Sequence, residues 1–290
     1  MIDPGLHGRV AIVTGANHGI GAATARALAS QGARLFLTYY RPETAFKGSE
    51  LEEAMKKGVG GDALYAAMQQ QPGQTVVEST VASGGVAVEH ELDLGYAENA
   101  ERVFDLCEER LGPVDILINN HTDFQADTFI PATTAEGPYG ASTTAGTVID
   151  RHLAVNVRAS ALLMGECLRR HVERGADWGR IVNLTTVLGY PGAVSYAASK
   201  RALVSYTMSA AEEMGRYGIT VNVVCPGATQ TGYIAPESEP DILARTPLGR
   251  LGLPEDVADV ITFLASEQGH WLTGQLIYAS GGFLTYLSER

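Results

Sequence analysis

The stretch RVAIVTGANHGIG, Arg9 to Gly21, combines an apolar strand pattern, a cluster of glycines and the start of a helical pattern. Gly15, Gly19 and Gly21 permit a tight turn and let a diphosphate approach the backbone. The start of the helix adds unpaired N–H groups and the positive end of the helix dipole. The stretch therefore predicts a dinucleotide site, and a plain glycine-rich turn is the weaker interpretation because a strand and a helix flank it. The residues assigned to this part of the site are Gly15, Asn17, His18, Gly19, Ile20 and Gly21.

Apolar runs rich in β-branched residues alternate with helical patterns along the rest of the chain. The runs that predict strands are 9–15, 33–39, 86–92, 115–120, 180–186, 220–227 and 274–282. The patterns that predict helices are 19–31, 97–111, about 146–173, 194–217 and 254–266. Because strands alternate with helices, we expect an α/β fold with a parallel sheet that is covered on both faces. No repeat or linker divides the chain, so residues 1–290 are predicted to form a single domain.

Three segments interrupt this alternation. Residues 41–74 and 122–147 are longer than the usual connections between strands and helices. We expect both to be surface insertions, the first with one or two short helices. Residues 232–252 contain several Pro and Gly residues, which suits a mobile lid over a substrate.

The 290 residues carry a formal net charge of −12, and the isoelectric point is near 5.0. This acidic balance argues against nucleic acid or an anionic membrane as a partner, because either would need clustered Lys and Arg. The N-terminus MIDPGLHGRV has no secretory pattern and no apolar run is long enough to span a membrane, so we expect a cytoplasmic protein. Cys107, Cys167 and Cys225 follow no metal-binding spacing and are interpreted as buried free thiols; no metal site is predicted.

The stretch SYAASKRAL, Ser195 to Leu203, places Tyr196 and Lys200 four residues apart in a predicted helix. Residues at this spacing share one helix face, so the phenol and the ammonium are expected to lie close together. A neighbouring ammonium favours the phenolate and so helps a phenol to exchange protons near neutral pH. On these nine residues alone, a chance pair on a solvated helix edge is the simpler interpretation.

The end of the second predicted strand bears on the choice of cofactor. An NAD-selective site places Asp or Glu there to bind the ribose 2′-hydroxyl, whereas this chain has Tyr39, Tyr40 and Arg41. With no carboxylate to repel it, a 2′-phosphate is expected to bind Arg41, with His18 as a further contact. The sequence therefore favours NADP(H) and leaves NAD(H) as the alternative. A second interpretation is that Arg41 only begins the exposed insertion.

Several motifs together resemble those of the short-chain dehydrogenase/reductase family over nearly the whole chain. TGANHGIG resembles the family's TGxxxGIG loop, Asn119-Asn120 the start of its NNAG motif, and Tyr196-x-x-x-Lys200 its YxxxK pair. CPGATQT, Cys225 to Thr231, resembles its PG motif. The resemblance implies a single Rossmann-type domain, a doubly wound seven-stranded parallel sheet, and hydride transfer between a nicotinamide cofactor and a carbonyl or alcohol. Within the family, residues 247–283 are most similar to 3-oxoacyl-acyl-carrier-protein reductases and related ketoreductases.

The resemblance also assigns roles to residues. Tyr196 would be the general acid, and Lys200 would favour its phenolate and hold the nicotinamide ribose. Asn156 matches a helix asparagine that supports a water-linked proton route, since its apolar neighbours argue against a plain surface position. Thr186 stands where the family usually has serine; its hydroxyl keeps the hydrogen-bonding capacity while its methyl narrows the pocket. The residues implied for the cofactor beyond the glycine loop are Tyr39, Arg41, Asp93, Leu94, Asn120, His121, Tyr196, Lys200, Pro226, Gly227, Thr229 and Thr231.

Two of these positions carry alternatives. The NNAG motif reads NNHT, so His121 and Thr122 replace small residues under the cofactor. A structural role is favoured for His121, while lining or occlusion of the pocket and an extra acid–base role are the other hypotheses. Asp93 matches an aspartate that contacts adenine, and it is also placed to cap a helix starting near Tyr96.

These observations predict an NADP(H)-dependent reductase of a 3-oxoacyl-type or related carbonyl, with a small-molecule substrate. One alternative is an NADP(H)-binding sensor or scaffold protein with little turnover. Another is a different nicotinamide-dependent reaction, such as epimerisation or enoyl reduction. The helix 194–217 is more apolar than one core-facing stripe requires, and the C-terminus GGFLTYLSER carries further aromatic residues. By resemblance such surfaces pair subunits, so we expect a homotetramer, with a dimer as the alternative.

Overall fold

The computed structural model describes residues 3–131, 141–186 and 192–283, and its framework is a twisted sheet with helices on both faces. The strands of the described residues are β1 (Val10–Thr14), β2 (Arg34–Tyr39), β3 (Val86–Glu91), β4 (Ile116–Asn119), β5 (Asp127–Thr128), β6 (Ser142–Thr143), β7 (Gly179–Leu184), β8 (Ile219–Cys225) and β9 (Leu276–Tyr278). Seven of them form one sheet in the order β3-β2-β1-β4-β7-β8-β9, and β5 pairs with β6 in a separate ribbon. All pairs of the large sheet are parallel, which confirms the predicted α/β fold with a seven-stranded Rossmann-type sheet.

The helices cover this sheet from both sides. They are α1 (Gly19–Ser30), α2 (Gly48–Lys57), α3 (Asp62–Gln69), α4 (Gln74–Ala82), α5 (Asn99–Leu111), α6 (Gly146–His152), α7 (Ser160–Glu173), α8 (Val194–Met214), α9 (Glu239–Leu243) and α10 (Pro254–Ala265). A π-helical segment, Leu153–Ala159, joins α6 to α7 without a break. The helices expected from the 3.6-residue patterns are therefore present, with boundaries within a few residues of the prediction.

The core follows from the alternation of side chains along the strands. In β1, Ile12 contributes to the cluster with Phe36, Phe104 and Leu163, whereas its neighbour Val13 contributes to the cluster on the opposite face. Successive strand residues point to opposite faces, so a strand buried on both sides must be apolar throughout. The burial of β1 at every position explains why its sequence is a continuous apolar run.

The order of the strands determines where a ligand can bind. β1 lies between β2 and β4, so the connections after β1 and β4 leave the sheet in opposite directions. Open α/β sheets bind ligands in the crevice at such a switch point, outside the carboxyl ends of the strands. The glycine stretch after β1 and the Asn119-Asn120 pair at the end of β4 both lie there.

The connections contain structure that was only partly predicted. Residues 41–74 hold α2 and α3, in line with the expected short helices, but α4 at the end of this segment was not predicted. This helix packs on α1 and β3 and completes the crossover between β2 and β3. The β5–β6 ribbon in 122–147 was not predicted either, and residues 132–140 lie outside the described residues.

Candidate functional site

The turn between β1 and α1 leaves no room for a side chain at Gly21, where the start of α1 lies against the backbone of Gly15. Gly15 and Gly19 have φ of +61° and +54°, in the left-handed region. A Cβ at Gly21 would overlap the carbonyl oxygen of Gly15 and the side chain of Asn120. Asn120 holds this turn, because its Nδ2 donates to the carbonyl oxygens of Thr14 (3.1 Å) and Gly15 (2.9 Å).

The start of α1 suits an anionic group. His18 precedes the helix without capping it through its side chain, and the first turn contains no acidic residue. Its leading N–H groups therefore face outward with the positive end of the helix dipole. The methyl group of Thr231 lies 3.2 Å from the position of a Cβ on Gly19, which brings the PG segment beside this turn. These residues fit the diphosphate of a dinucleotide.

Tyr196 lies in the first turn of α8, and its hydroxyl lies near the side-chain hydroxyls of Thr122 and Thr186. The ring of Phe124 packs edge-on against the ring of Tyr196, with 5.1 Å between centroids. Burial, together with the nearby hydroxyl of Tyr65, raises the pKa of Tyr196 to about 12, and the two threonine hydroxyls oppose this shift. In the cofactor-free protein, Tyr196 is therefore a neutral phenol.

Lys200 lies one turn further along α8 and is buried. Its Nζ donates to the carbonyl oxygens of Leu184 (3.1 Å) and His121 (3.5 Å), at the ends of β7 and β4. Burial lowers the pKa of Lys200 to about 7, because the charged form loses its water. The structure thus brings Tyr196 and Lys200 to the same end of the sheet, at the switch-point crevice, and the solvated-edge interpretation of the pair is wrong for Lys200.

Asn156 is fully buried in the π-helical segment, so it is not a surface residue. Its Nδ2 donates to Ser199 Oγ and to the carbonyl oxygen of Asp123, both at 3.0 Å. Its Oδ1 accepts from the backbone N–H of Asp123 (2.7 Å) and from Thr122 Oγ1 (3.2 Å). Asn156 therefore holds Thr122, whose hydroxyl lies near that of Tyr196.

His121 is buried and has a partner at each ring nitrogen. Nε2 lies 3.0 Å from the carbonyl oxygen of Val155, to which it must donate, and Nδ1 lies 2.8 Å from Thr14 Oγ1. Burial, with the nearby Lys200, lowers the pKa of His121 to about 3. These contacts favour the structural role over acid–base exchange.

Arg41 has a carboxylate partner that the sequence did not indicate. Its Nε and Nη2 donate to Oε2 of Glu91 at 3.0 and 2.7 Å, and its backbone N–H donates to Oε1. The pair forms because β2 and β3 are in register with Tyr39 beside Glu91. The expectation that no carboxylate lies at this position is therefore wrong.

Asp93 and Thr229 also have partners within the chain. Both carboxylate oxygens of Asp93 accept from Arg151, at 3.0 and 3.1 Å, and one also accepts from the backbone N–H of Gly95. Because α5 begins at Asn99, the alternative that Asp93 caps this helix is wrong. Thr229 Oγ1 donates to the carbonyl oxygen of Pro226 (3.1 Å), which directs this hydroxyl into its own turn.

The remaining PG residue is constrained by its surroundings. Gly227 has φ of +64°, and a Cβ there would meet the side chain of Ser280 at 2.5 Å. The three cysteines are buried free thiols, as predicted. Within the described ranges, no group of three or more His, Cys, Asp or Glu side chains is placed to hold a metal ion, and no helix there is long and apolar enough to cross a membrane.

Comparison with known proteins agrees with this geometry. A family model described as Enoyl-(Acyl carrier protein) reductase matches residues 54–284, and one described as short chain dehydrogenase matches residues 9–59. The chain belongs to the short-chain dehydrogenase/reductases. It is therefore related to NAD(P)-dependent oxidoreductases, in line with the nucleotide-binding turn and the crevice described above.

Relatives of this short-chain dehydrogenase/reductase match over almost their full lengths. The chain is 32% identical over 281 residues to the uncharacterized oxidoreductase YjdA of Bacillus subtilis, covering 95% of this chain and 97% of that protein. It is 30% identical over 283 residues to the 3-oxoacyl-[acyl-carrier-protein] reductase FabG of Aquifex aeolicus, covering 96% and 98%. A short chain dehydrogenase of Burkholderia cenocepacia, solved in complex with NADP, superposes with a TM-score of 0.76 at 28% identity, covering 96% and 98%.

Four residues of this short-chain dehydrogenase/reductase site were not predicted from the sequence. Thr122 and Phe124 contact Tyr196, Glu91 holds Arg41, and Tyr65 reaches the same crevice from the first insertion. The departure from NNAG was a signal for Thr122. No sequence signal indicated Tyr65, because its segment is distant from every family motif.

Proposed function

We propose that the protein is an NADP(H)-dependent ketoreductase that reduces a 3-oxoacyl-type or related carbonyl to an alcohol. The observation that carries this proposal is the placement of Tyr196, whose hydroxyl meets Thr122 and Thr186 one helical turn from buried Lys200. The relative named 3-oxoacyl-[acyl-carrier-protein] reductase supports the substrate class.

In this proposal Tyr196 donates the proton that the reduced carbonyl oxygen needs. The nicotinamide cofactor supplies the hydride when it is bound. The hydroxyl of Thr186 lies near that of Tyr196, so it is proposed to hold the substrate oxygen beside the phenol. In the oxidative direction the phenolate of Tyr196 accepts the proton instead.

Lys200 is proposed to lower the pKa of Tyr196 from its cofactor-free value of about 12 and to hold the nicotinamide ribose. An ammonium does this only while it is charged, and burial has brought the pKa of Lys200 to about 7. The negative charge of a bound dinucleotide favours the ammonium again. Asn156 holds the backbone before Phe124 and Ser199 of α8 in place, and it is proposed to anchor the proton route.

NADP(H) is proposed as the preferred cofactor, with NAD(H) as the alternative. The support is Arg41 at the end of β2 and the NADP complex of the Burkholderia relative. Glu91 weakens this preference, because it neutralises Arg41 and places a negative charge beside the proposed 2′-phosphate position.

We further propose one cytoplasmic domain that assembles as a homotetramer, with a dimer as the alternative, and that residues 232–252 act as a substrate lid. Support for assembly comes from exposed apolar side chains on neighbouring helices. They are Ile149 on α6, Leu153 in the π-helical segment, Leu162 on α7 and Tyr206 on α8.

The test is oxidation of NADPH with a panel of ketones, quinones and β-ketoacyl thioesters. Tyr196→Phe keeps the ring contact with Phe124 and removes the proton, so turnover should fall by about a hundredfold or more while NADPH still binds. Thr186→Ser is the matched control, because it keeps the hydroxyl, and it should retain most of the activity. Substantial reduction by folded, NADPH-binding Tyr196→Phe would contradict the mechanism.

A second candidate is an NADP(H)-binding sensor with little turnover. The observation that favours it is the row of aromatic rings between the glycine turn and Tyr196. The same panel separates the two functions. A sensor would bind NADPH but would not oxidise it in the presence of any substrate of the panel.

A further inference from the structure

The helix α3, which belongs to the first insertion, lies across the crevice between the glycine turn and Tyr196. We define the cover as residues 62–71, which are α3 and the turn that follows it. Its Tyr65 ring packs edge-on against His18 in the glycine turn, with 5.6 Å between centroids. The same ring packs edge-on against Tyr233, at 5.4 Å. The cover thus contacts both the glycine turn and the segment that follows the PG motif.

A continuous row of rings extends from the glycine turn to Tyr196. Tyr233 packs against Phe124 at 5.5 Å, and Phe124 packs against Tyr196 at 5.1 Å. Each of the four contacts in the row is edge-to-face, which is a favoured arrangement of aromatic pairs. Tyr65 is also close enough to Tyr196 for the charge of one hydroxyl to disfavour ionisation of the other.

Hydrogen bonds hold the other end of the cover on the glycine turn. Asn17 is buried, and its Nδ2 donates to the carbonyl oxygens of Gln69 and Gln71, both at 2.9 Å. These carbonyls belong to the end of α3, where a helix leaves its acceptors unpaired. A residue of the dinucleotide motif therefore caps a helix of the insertion.

The start of the cover is joined to the segment that follows the PG motif. Gly61 N–H donates to the carbonyl oxygen of Gly232 at 2.9 Å. A Cβ at Gly60 would overlap the carbonyl oxygen of Ile234, so this approach requires glycine. The two segments lie more than 170 residues apart in the chain, so this contact is formed only in the folded protein.

The attachment of the cover suits reversible opening. Glycines flank it on both sides: Gly58 and Gly61 have φ of +62° and +141°, and Gly73 follows. Leu64, Ala66 and Ala67 of α3 are buried, and only Asp62 of its eight residues is exposed. Because the helix is short and has glycines at both ends, it can move as a unit without disturbing the sheet.

We propose that the cover, with Tyr65 as its principal contact, controls access to the cofactor crevice, so that the nicotinamide cofactor binds and leaves only when the cover opens. This inference rests on the proposed function. A dinucleotide with its diphosphate at the start of α1 must extend past His18 to reach Tyr196, and Tyr65, Tyr233 and Phe124 line that interval. Tyr65 is thus a further residue of the site, supplied by an insertion outside the family motifs.

The first test uses the wild-type protein and rapid mixing with NADPH, followed by nucleotide fluorescence. If the cover must open first, the observed association rate should reach a plateau as the NADPH concentration rises, because opening becomes the slow step. A rate that keeps rising linearly to the highest usable concentration would overturn the proposal.

The second test changes the aromatic contact. In Tyr65→Ala, both association and dissociation of NADPH should accelerate about tenfold, because two ring-edge contacts are lost. Tyr65→Phe keeps the rings and should behave as wild type. Met55→Ala, at an exposed position of α2 in the same insertion, controls for general disturbance of this segment.

The outcomes separate the cover from the proposed function. If Tyr65→Ala binds NADPH with association and dissociation rates within about twofold of those of wild type, the cover proposal is overturned and the proposed cofactor is not. If Tyr65→Ala and Tyr65→Phe change the NADPH association and dissociation rates equally, the aromatic ring of Tyr65 is not what holds the cover closed. Absence of NADPH binding to wild type and to Tyr65→Ala would overturn both the cover and the proposed cofactor.

Discussion

At the residue scale, His121 shows how burial fixes a protonation state. Its ring is buried between the carbonyl of Val155 and the hydroxyl of Thr14, so a charged imidazolium would lose its hydration in the folded protein. Its carbonyl also accepts from Lys200, so one residue links the ends of β1 and β4 to α8. The glycine-turn residue His18 is subject to a similar effect, since burial lowers its pKa to about 4.

We expect the free energy of unfolding to decrease as the pH falls below about 6.5. The pKa of His121 is about 3 in the folded protein, so between these values only the unfolded chain binds the proton. The one proton that His121 binds on unfolding lowers the free energy of unfolding by about 1.4 kcal/mol for each pH unit below 6.5. Urea unfolding across this range measures the slope. His121→Ala should flatten it, whereas exposed His270→Gln should not; equal slopes in wild type and His121→Ala would contradict the assignment.

At the element scale, the register between β2 and β3 determines the surroundings of Arg41. Tyr39 lies beside Glu91 in the ladder, so Arg41, the second residue after β2, meets the last residue of β3. Both side chains are partly exposed, and the pair raises the pKa of Arg41 and lowers that of Glu91. A 2′-phosphate at this position has to share Arg41 with a carboxylate.

We expect Glu91→Gln to increase the affinity for NADPH about threefold to tenfold and to change that for NADH little, because an exposed pair of this kind is worth on the order of 1 kcal/mol. Arg41→Ala should instead reduce the preference for NADPH. Titration of each protein with both cofactors measures the ratio, and Glu78→Gln on α4 makes the same charge change elsewhere. Equal affinities of wild type for NADPH and NADH would contradict the role of Arg41.

At the scale of the whole molecule, several apolar side chains of the helical layer remain exposed. Helices α6, α7 and α8 contact one another, and Leu153, Leu162 and Tyr206 on this layer are exposed. Ala198 on α8 is exposed as well, which lets another helix approach closely. Exposed apolar side chains on neighbouring helices support the proposed interaction surface. The aromatic residues of 284–290, which also entered the prediction of assembly, lie outside the described residues.

Light scattering at micromolar concentration should therefore give about 123 kDa for a tetramer, four times the chain mass of 30.7 kDa. Tyr206→Glu should lower this mass, because a charge in an apolar interface loses its hydration. Val81→Glu, at an exposed position of α4, is the control and should leave the mass unchanged. A wild-type mass of 30.7 kDa would contradict the proposed assembly.

The sequence by itself determined the strands, the main helices and the glycine turn, because each depends on residues close together in the chain. The apolar run of β1 indicated a strand buried on both faces, and Gly21 indicated a turn with no room for a side chain. The family resemblance added the doubly wound seven-stranded sheet and the likeness of Tyr196 and Lys200 to a known pair. Spacing of four residues placed these two side chains on one helix face before any tertiary contact was known.

Only the tertiary structure decided which distant groups meet at that site. Glu91 reaches Arg41 through strand register, Thr122 reaches Tyr196 from the end of β4, and Tyr65 reaches His18 and Tyr233 from an insertion. Sequence periodicity reports which face of an element is apolar, but it does not report which other element covers that face. Partners separated by 47 to 168 residues, such as Tyr65 with His18 and with Tyr233, are determined by packing of the whole chain, and so are the pKa shifts that their burial causes.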